Sequence, residues 1–246
     1  MANTIKFNIK GEQLLNNTHY FTAPQRREIE LWQLRRGEII TVEDCLGRHF
    51  RARVIESQAG KIGIYVFEAC LSGMEPPVDI LLLQALPSKE RMEWIIQKSV
   101  ELGVGMILPF KSAHSVSLDE LKQSKAHRWS IVALKAAKQC RRATAPQVLS
   151  YTDFLHALSF AQNYELKMML WQGASMSIAS QLSGIGQRQR VALLVGPEGG
   201  WSESEIREAE ETGFTTVSLG PRILRTETAA IIATGLIQYF FGDLGR

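Results

Sequence analysis

Two apolar runs near the C-terminal end of the chain each finish in a Gly-Pro turn, and this repetition constrains the fold more than any other feature. The first run, Val191–Val195, ends at Gly196-Pro197, and the second, Phe214–Leu219, ends at Gly220-Pro221. The first run is unbroken, which predicts a strand buried on both faces, and the second predicts the next strand; Gly-Pro ends each. Open α/β sheets bind ligands beyond the carboxyl ends of their strands. The two turns therefore predict two loops that face one ligand.

Each turn is followed by the start of a helix. After the flexible pair Gly199-Gly200, Ser202 precedes Glu205 by three residues, which is a capping-box pattern. After the second turn, residues 226–228 lead into the apolar segment Ala229–Phe241. Glycines that only interrupt ordinary α/β turns are the alternative interpretation. Charged residues beside both turns favour a binding site, and these are Glu198, Arg222, Arg225 and Glu227.

The middle of the chain alternates between strand and helix patterns. Strands are predicted at Val78–Gln84, Met106–Phe110 and Leu166–Trp171, and an amphipathic helix is predicted at Ser88–Leu102. The apolar face of that helix would carry Met92, Ile95, Ile96, Ser99 and Val100. Alternation of this kind predicts an α/β fold with a parallel sheet covered by helices on both faces.

The first seventy or so residues have a mostly β pattern. Glu38–Glu43, Arg48–Ile55 and Lys61–Cys70 alternate with period two, which predicts a small barrel. Arg51 and Arg53 would point outward from it. A short helix is predicted at Gln25–Arg36, with exposed Arg26, Arg27, Arg35 and Arg36. The stiff pair Pro76-Pro77 separates the two patterns, so we expect domains at residues 1–72 and 73–246.

The segment from Leu121 to Thr152 is basic and contains no Asp or Glu. Its apolar residues keep helical spacing, so one face would pack on the core while the basic side chains project elsewhere. An uncompensated basic helix predicts a surface that binds RNA phosphates, although a simple solvated face is the common alternative.

Composition excludes several classes of protein. No apolar run reaches the roughly 18 residues of a membrane span, so we expect no membrane partner. The three cysteines, Cys45, Cys70 and Cys140, are far apart, which suits a reducing cytoplasm. Neither cysteines nor histidines have metal-ligand spacing, so we expect no metal. The absence of the GxxxxGK[ST] and GxGxxG patterns disfavours P-loop NTPases and Rossmann dinucleotide enzymes.

Four segments carry a resemblance to a known family: LLVGPEGGWSESEI, SLGPRILRTETA, Gln84–Pro87 followed by KERMEWIIQKSVEL, and Arg128-Trp129 with Ala136, Ala137 and Gln139. They resemble the signature segments of the RsmE family, the 16S rRNA uridine-N3 methyltransferases of the SPOUT superfamily. The resemblance implies a PUA-like β-barrel followed by a SPOUT domain with a C-terminal trefoil knot. It also implies a cytoplasmic homodimer that uses S-adenosyl-L-methionine and acts on 16S rRNA, on the assembled small ribosomal subunit.

The resemblance assigns the site residue by residue. The cofactor would be bound by Leu170, Leu194, Gly196, Pro197, Glu198, Gly199, Gly200, Leu219, Gly220, Ile223, Leu224 and Arg225. Ile223 and Leu224 would be apolar walls, or alternatively plain core residues. Because Arg225 sits in the second loop next to Thr226, our own hypothesis is that it stabilises the uracil anion that forms when N3 loses its proton. Glu198 or Glu227 would accept that proton or fix an arginine, while a purely structural role at a helix N-terminus is equally open for Glu227.

The predicted RNA-binding residues are Arg26, Arg27, Arg51, Arg53, Lys135, Lys138, Arg141 and Arg142. The chain departs from the family pattern at Pro24–Arg27, Leu31–Gln33, Ser112–Ser115 and Lys135–Gln139. These departures concern RNA contact and leave the cofactor loops intact. A catalytically inactive RNA-binding assembly factor is the main alternative function, and a small-molecule α/β enzyme is a further one.

Overall fold

The computed structural model describes residues 3–58, 61–70, 74–115, 126–184, 186 and 190–245. The chain divides into two compact units. The first contains Met1–Glu75 and Leu134–Pro146, and the second contains Pro76–Ala133 and Gln147–Arg246. The division predicted between residues 72 and 73 lies near Glu75, but Leu134–Pro146 groups with the first unit because its strand pairs with the N-terminal strand.

Helices and strands follow one another in a fixed order. In the N-terminal part they are β1 (Asn3–Thr4), α1 (Gly11–Leu14), β2 (Thr18–Tyr20), α2 (Ala23–Glu28), β3 (Ile39–Glu43), β4 (His49–Gln58) and β5 (Lys61–Ala69). The middle contains β6 (Asp79–Ala85), α3 (Lys89–Glu101), β7 (Met106–Lys111), α4 (Ala126–Gln139), β8 (Thr144–Ala145), β9 (Gln147–Val148) and β10 (Thr152–Asp153). The rest contains α5 (Phe154–Phe160), β11 (Leu166–Leu170), α6 (Ile178–Ser183), β12 (Arg190–Val195), α7 (Glu203–Glu211), β13 (Thr215–Val217) and α8 (Thr226–Phe241).

The first unit is built on an antiparallel sheet of four strands in the order β2-β5-β4-β3. Strand β8 pairs antiparallel with β1. The helix predicted at Gln25–Arg36 is wrong in extent. Helix α2 ends at Glu28, a 3-10 turn follows at Glu30–Trp32, and Gln33 takes a left-handed conformation with φ 42°. The chain turns there because Ile29 and Trp32 are buried in the core.

Arg51 is buried, so the prediction that it points outward from the barrel is wrong. A register shift between Arg51 and Ala52 breaks the alternation of β4, as a β-bulge does. The Arg51 side chain is therefore inside, where its Nη1 donates to the carbonyl of Arg141 at 2.9 Å and contacts the Thr41 hydroxyl. Arg53, beyond the bulge, is exposed as predicted.

The second unit has an α/β fold with a parallel sheet, as the alternating pattern predicted. Its strands follow the order β10-β7-β6-β12-β11-β13, with β9 also paired to β7, and all these pairs are parallel. Helix α3 buries the face predicted for it, Met92, Ile95, Ile96, Ser99 and Val100. No helix within the described ranges is long and apolar enough to cross a bilayer.

Helix α7 has the start and the end that the sequence predicts. The Ser202 hydroxyl accepts the N–H of Glu205, and the Glu205 carboxylate accepts the N–H of Ser202 at 2.9 Å, so the capping box is complete. Gly213, at φ 88°, reverses the chain after α7. Helix α8 begins earlier than predicted, at Thr226 rather than Ala229.

Candidate active site

Three neighbouring strands of the parallel sheet, β12, β11 and β13, end at the same edge. The loops that follow them surround a cleft of about 560 Å³. This edge is where open α/β sheets bind ligands. Eleven of the residues assigned to the cofactor line this one cleft, and they are Leu170, Gly196, Pro197, Glu198, Gly199, Gly200, Leu219, Gly220, Ile223, Leu224 and Arg225.

Leu194 does not line the cleft, which corrects its assignment as a cofactor-binding residue. Its side chain is completely buried in the core between sheet and helices. Val195 lines the cleft instead, because it is the last residue of β12 and therefore the nearest to the edge.

Trp201 links the loop after β12 to the end of β11, where the next loop of the cleft begins. Its indole N–H donates to the carbonyl of Leu170 at 2.8 Å, and its ring lies parallel to that of Phe110 at a centroid distance of 6.2 Å. A Cβ atom at Gly196 would lie 2.9 Å from this indole. The packing of the tryptophan therefore requires glycine at the first Gly-Pro turn.

Thr226 links the loop after β13, which is the third loop of the cleft, to the turn at Gly196. Its buried hydroxyl donates to the carbonyl of Gly196 at 2.6 Å and accepts the side-chain amide of Gln84 at 3.1 Å. The Gln84 amide also donates to the carbonyl of Ala85 at 2.9 Å. A short polar network thus connects the end of β6, the end of β12 and the start of α8.

The loop after β7 supports the second half of the turn at residues 196–200. The backbone N–H of Ala113 donates to the Glu205 carboxylate at 2.8 Å, and Nδ1 of His114 lies 3.2 Å from the carbonyl of Gly200. A Cβ atom at Gly199 would lie 2.7 Å from Cβ of His114. The segment Ser112–Ser115, which departs from the family pattern, is therefore in contact with the loop at residues 196–200.

Arg91 lines the cleft and pairs with two carboxylates, although sequence analysis did not find it. Its Nη1 lies 2.6 Å from Glu198 Oε1, and its Nε lies 3.8 Å from Glu227 Oε2. Glu227 itself does not line the cleft, and its Oε2 has no hydrogen-bond partner within the described residues. Of the two roles open to Glu198, this geometry favours fixing an arginine. The only sequence signal was the position of Arg91 in the first turn of α3, which is shared by many surface arginines.

Comparisons with known proteins agree with this geometry. A family model described as an RNA methyltransferase domain matches residues 74–238. The ribosomal RNA small subunit methyltransferase E of Bacillus subtilis is 34% identical over 186 residues, which is 73% of each chain. The chain belongs to the ribosomal RNA small subunit methyltransferase E family.

Solved structures of similar proteins cover nearly all of this family member. A ribosomal RNA small subunit methyltransferase E from Neisseria gonorrhoeae bound to S-adenosyl methionine is 30% identical, with a TM-score of 0.73 over 98% of this chain and 99% of that one. A Legionella pneumophila methyltransferase in complex with the same cofactor is 31% identical, with a TM-score of 0.71 over the same shares.

The third loop exposes its side chains unevenly. Ile223 is 83% exposed, so the alternative that it is a core residue is wrong, while Leu224 is half-buried. Arg222 and Arg225 both line the cleft and are exposed. Neither guanidinium has an ion pair or hydrogen bond within the part of the chain that the structure describes. These are the unpaired cations of the cleft.

The basic residues predicted to bind RNA all lie in the first unit, and they differ in accessibility. Arg27, Arg53, Lys135 and Arg141 are exposed, and Arg26 is half-buried. Two of the others are engaged within the unit. Lys138 pairs with Glu38 at 3.0 Å, and the buried Arg142 pairs with Glu75 at 2.7 Å. Burial therefore removes Arg142, like Arg51, from the surface.

Proposed function

We propose that the chain is an S-adenosyl-L-methionine-dependent methyltransferase that modifies N3 of a uridine in 16S rRNA. The observation that carries the proposal is the glycine-rich cleft at the carboxyl edge of the parallel sheet. Unpaired arginines line this cleft in a chain of the methyltransferase E family. An inactive RNA-binding factor would have no use for such a cleft, and a small-molecule enzyme would have no use for the basic first unit.

The residues of the cleft fit the cofactor. A volume of about 560 Å³ lies within the usual range of small-molecule sites, roughly 300–1,000 Å³. Gly200 and Gly220, at φ 74° and 107°, hold backbone conformations that leave main-chain groups open to a ligand. Leu219 and Leu224 would supply apolar walls for the adenine. The bound cofactor supplies an electrophilic methyl group on a sulfonium sulfur.

The chain's own residues would orient the uracil and manage its proton. N3 of neutral uracil carries a proton, so transfer of the methyl group requires that proton to pass to an acceptor, either Glu198, which lines the cleft, or a water molecule. The Arg225 guanidinium, placed beside a uracil carbonyl oxygen, would stabilise the resulting anion. Glu198 would hold Arg91 across the mouth of the cleft. Most of the rate should come from such positioning and electrostatics.

Several architectural features belong to the same proposal. We expect the first unit to be a PUA-like barrel, and its antiparallel sheet supports this. We also expect a C-terminal trefoil knot, which rests on the match of residues 74–238 to the family. Exposed apolar side chains on α8, Ile232 and Tyr239, support a homodimer. The exposed arginines of the first unit would contact rRNA phosphates. We expect a cytoplasmic protein, since its proposed substrate is ribosomal.

Two measurements test the proposal. Calorimetry on the purified chain should show binding of S-adenosyl-L-methionine. Tritium from labelled cofactor should then pass to small ribosomal subunits that lack the modification, with naked 16S rRNA as the second substrate. RNA binding without any tritium transfer would favour the inactive assembly factor. Transfer of tritium to a small molecule but not to subunits or rRNA would favour a small-molecule α/β enzyme.

A further inference from the structure

Ile223 lies at the tip of the third loop, between β13 and α8, and most of its surface is open. An aliphatic side chain that forms the wall of a cleft is backed by protein on its far side, which covers a large part of it. Ile223 is 83% exposed, so little packs behind it, whereas its neighbour Leu224 is half-buried. Leu224 therefore fits the role of a wall, and Ile223 projects from the loop.

The surroundings of Ile223 are cationic. Arg222 and Arg225 lie on either side of it along the chain, both are exposed, and neither forms an ion pair within the described ranges. An apolar tip between two free guanidinium groups is complementary to a nucleic acid, whose phosphates attract the cations and whose stacked bases accept an apolar side chain.

We infer that Ile223 is a wedge that enters the RNA beside the target uridine and occupies the space vacated when that base moves into the cleft. The inference rests on the proposed methyl transfer to rRNA. An enzyme that modifies a stacked base must first remove it from the stack, and apolar side chains that insert between bases offset the loss of stacking. Arg222 would contact a neighbouring phosphate while Ile223 holds the gap.

The test compares Ile223→Ala with Ile223→Leu, which keeps an apolar side chain of the same size. Leu155→Ala is the matched control, because Leu155 is another largely exposed aliphatic residue, 62%, and lies outside the cleft. Three quantities are measured on the full chain. They are the affinity for S-adenosyl-L-methionine by calorimetry, the rate of tritium transfer at saturating small subunits, and the mass in solution by sedimentation.

We expect Ile223→Ala to lower the transfer rate at saturating subunits about tenfold or more, because the displaced base then lacks the apolar side chain that offsets its lost stacking. Ile223→Leu should recover most of that rate, and Leu155→Ala should match the unmodified chain. Cofactor affinity and mass should remain unchanged in all three variants. A contact that only attracts RNA would instead raise the KM for subunits and leave kcat unchanged.

Other outcomes overturn the inference. A parallel loss of cofactor affinity would make Ile223 a wall of the cofactor site, and a fall in mass would make it a contact between two copies of the chain. An unchanged rate in Ile223→Ala, with the unmodified chain active, would reject the wedge while sparing the proposed function. Failure of the unmodified chain to transfer any methyl group would reject both.

Discussion

Thr226→Val isolates the hydroxyl that joins two loops of the cleft. Valine keeps the shape of threonine but removes the hydrogen bond to the Gly196 carbonyl, at 2.6 Å, and the acceptor for Gln84. Gln84 keeps its bond to the carbonyl of Ala85, so the main loss falls on Gly196. Gly196 is half-buried and lines the cleft, so in the free protein we expect water to reach that carbonyl. A bound cofactor excludes the water, and the carbonyl is then left without a donor.

The penalty should therefore fall mainly on cofactor binding. An unsatisfied carbonyl costs about 1–3 kcal/mol, and the lower half of that range suits a half-buried group. A loss of about 1–2 kcal/mol corresponds to a dissociation constant about five to thirty times larger. Isothermal calorimetry with S-adenosyl-L-methionine measures it directly.

Thr226→Ser is the matched control, because serine keeps the hydroxyl and loses only a methyl group. It should cost up to about 1 kcal/mol of folding stability while cofactor affinity stays within about twofold of the unmodified chain. The reasoning is refuted if folded Thr226→Val binds the cofactor as tightly as the unmodified chain, or if Thr226→Ser is weakened as much as Thr226→Val.

Three further predictions concern other parts of the molecule. Gly196→Ala should lower the free energy of unfolding in urea by about 1–3 kcal/mol, since its Cβ would lie 2.9 Å from the tethered indole of Trp201; equal stability would mean that the indole can move freely. Arg225→Ala should reduce the methyl-transfer rate far more than cofactor affinity, and an unchanged rate would remove Arg225 from the mechanism. Burial raises the pKa of Asp44, but hydrogen bonds from the Arg48 backbone, the Arg48 guanidinium and two further N–H groups outweigh it and hold the pKa below its ordinary value. Because the pKa of Asp44 is lower in the folded chain than in the unfolded chain, its carboxylate stabilises the fold at pH values above the unfolded pKa of about 3.9. That stabilisation is lost as the pH falls through the pKa of the folded state. Asp44→Asn should therefore lower the free energy of unfolding, measured in urea, by about 2 kcal/mol at pH 7 and by progressively less below about pH 4. A difference in unfolding free energy that does not change with pH would contradict this.

Local patterns predicted the second unit well. The buried face of α3 follows from a period of 3.6 residues, and the start of α7 follows from the capping pair Ser202 and Glu205. The end of β12 at Val195 follows from an apolar run stopped by a turn, whereas β13 ends at Val217, two residues before the predicted end at Leu219. Each of these features depends on residues a few positions apart, so the pattern is legible in the sequence.

The first unit was harder to predict, because a single irregularity changes the outcome. A bulge beside Ala52 reverses the orientation of Arg51, and no signal in the local alternation marks it. Arg142 is buried because a carboxylate far away in the chain, on Glu75, is available to pair with it. Charge counting found the basic segment but did not distinguish the arginines that face solvent from those used inside the unit.

The sequence by itself determined the family, the alternation of strands and helices in the parallel-sheet unit, and the loops that form the cleft. Only the tertiary structure decided which polar groups meet there. Arg91 pairs with a carboxylate 107 residues away, and Gln84 bonds to a hydroxyl 142 residues away. Periodicity and turn chemistry report on neighbours along the chain. A hydrogen bond or ion pair across the sheet edge depends instead on where folded loops bring two side chains within about 3 Å, which no local pattern encodes.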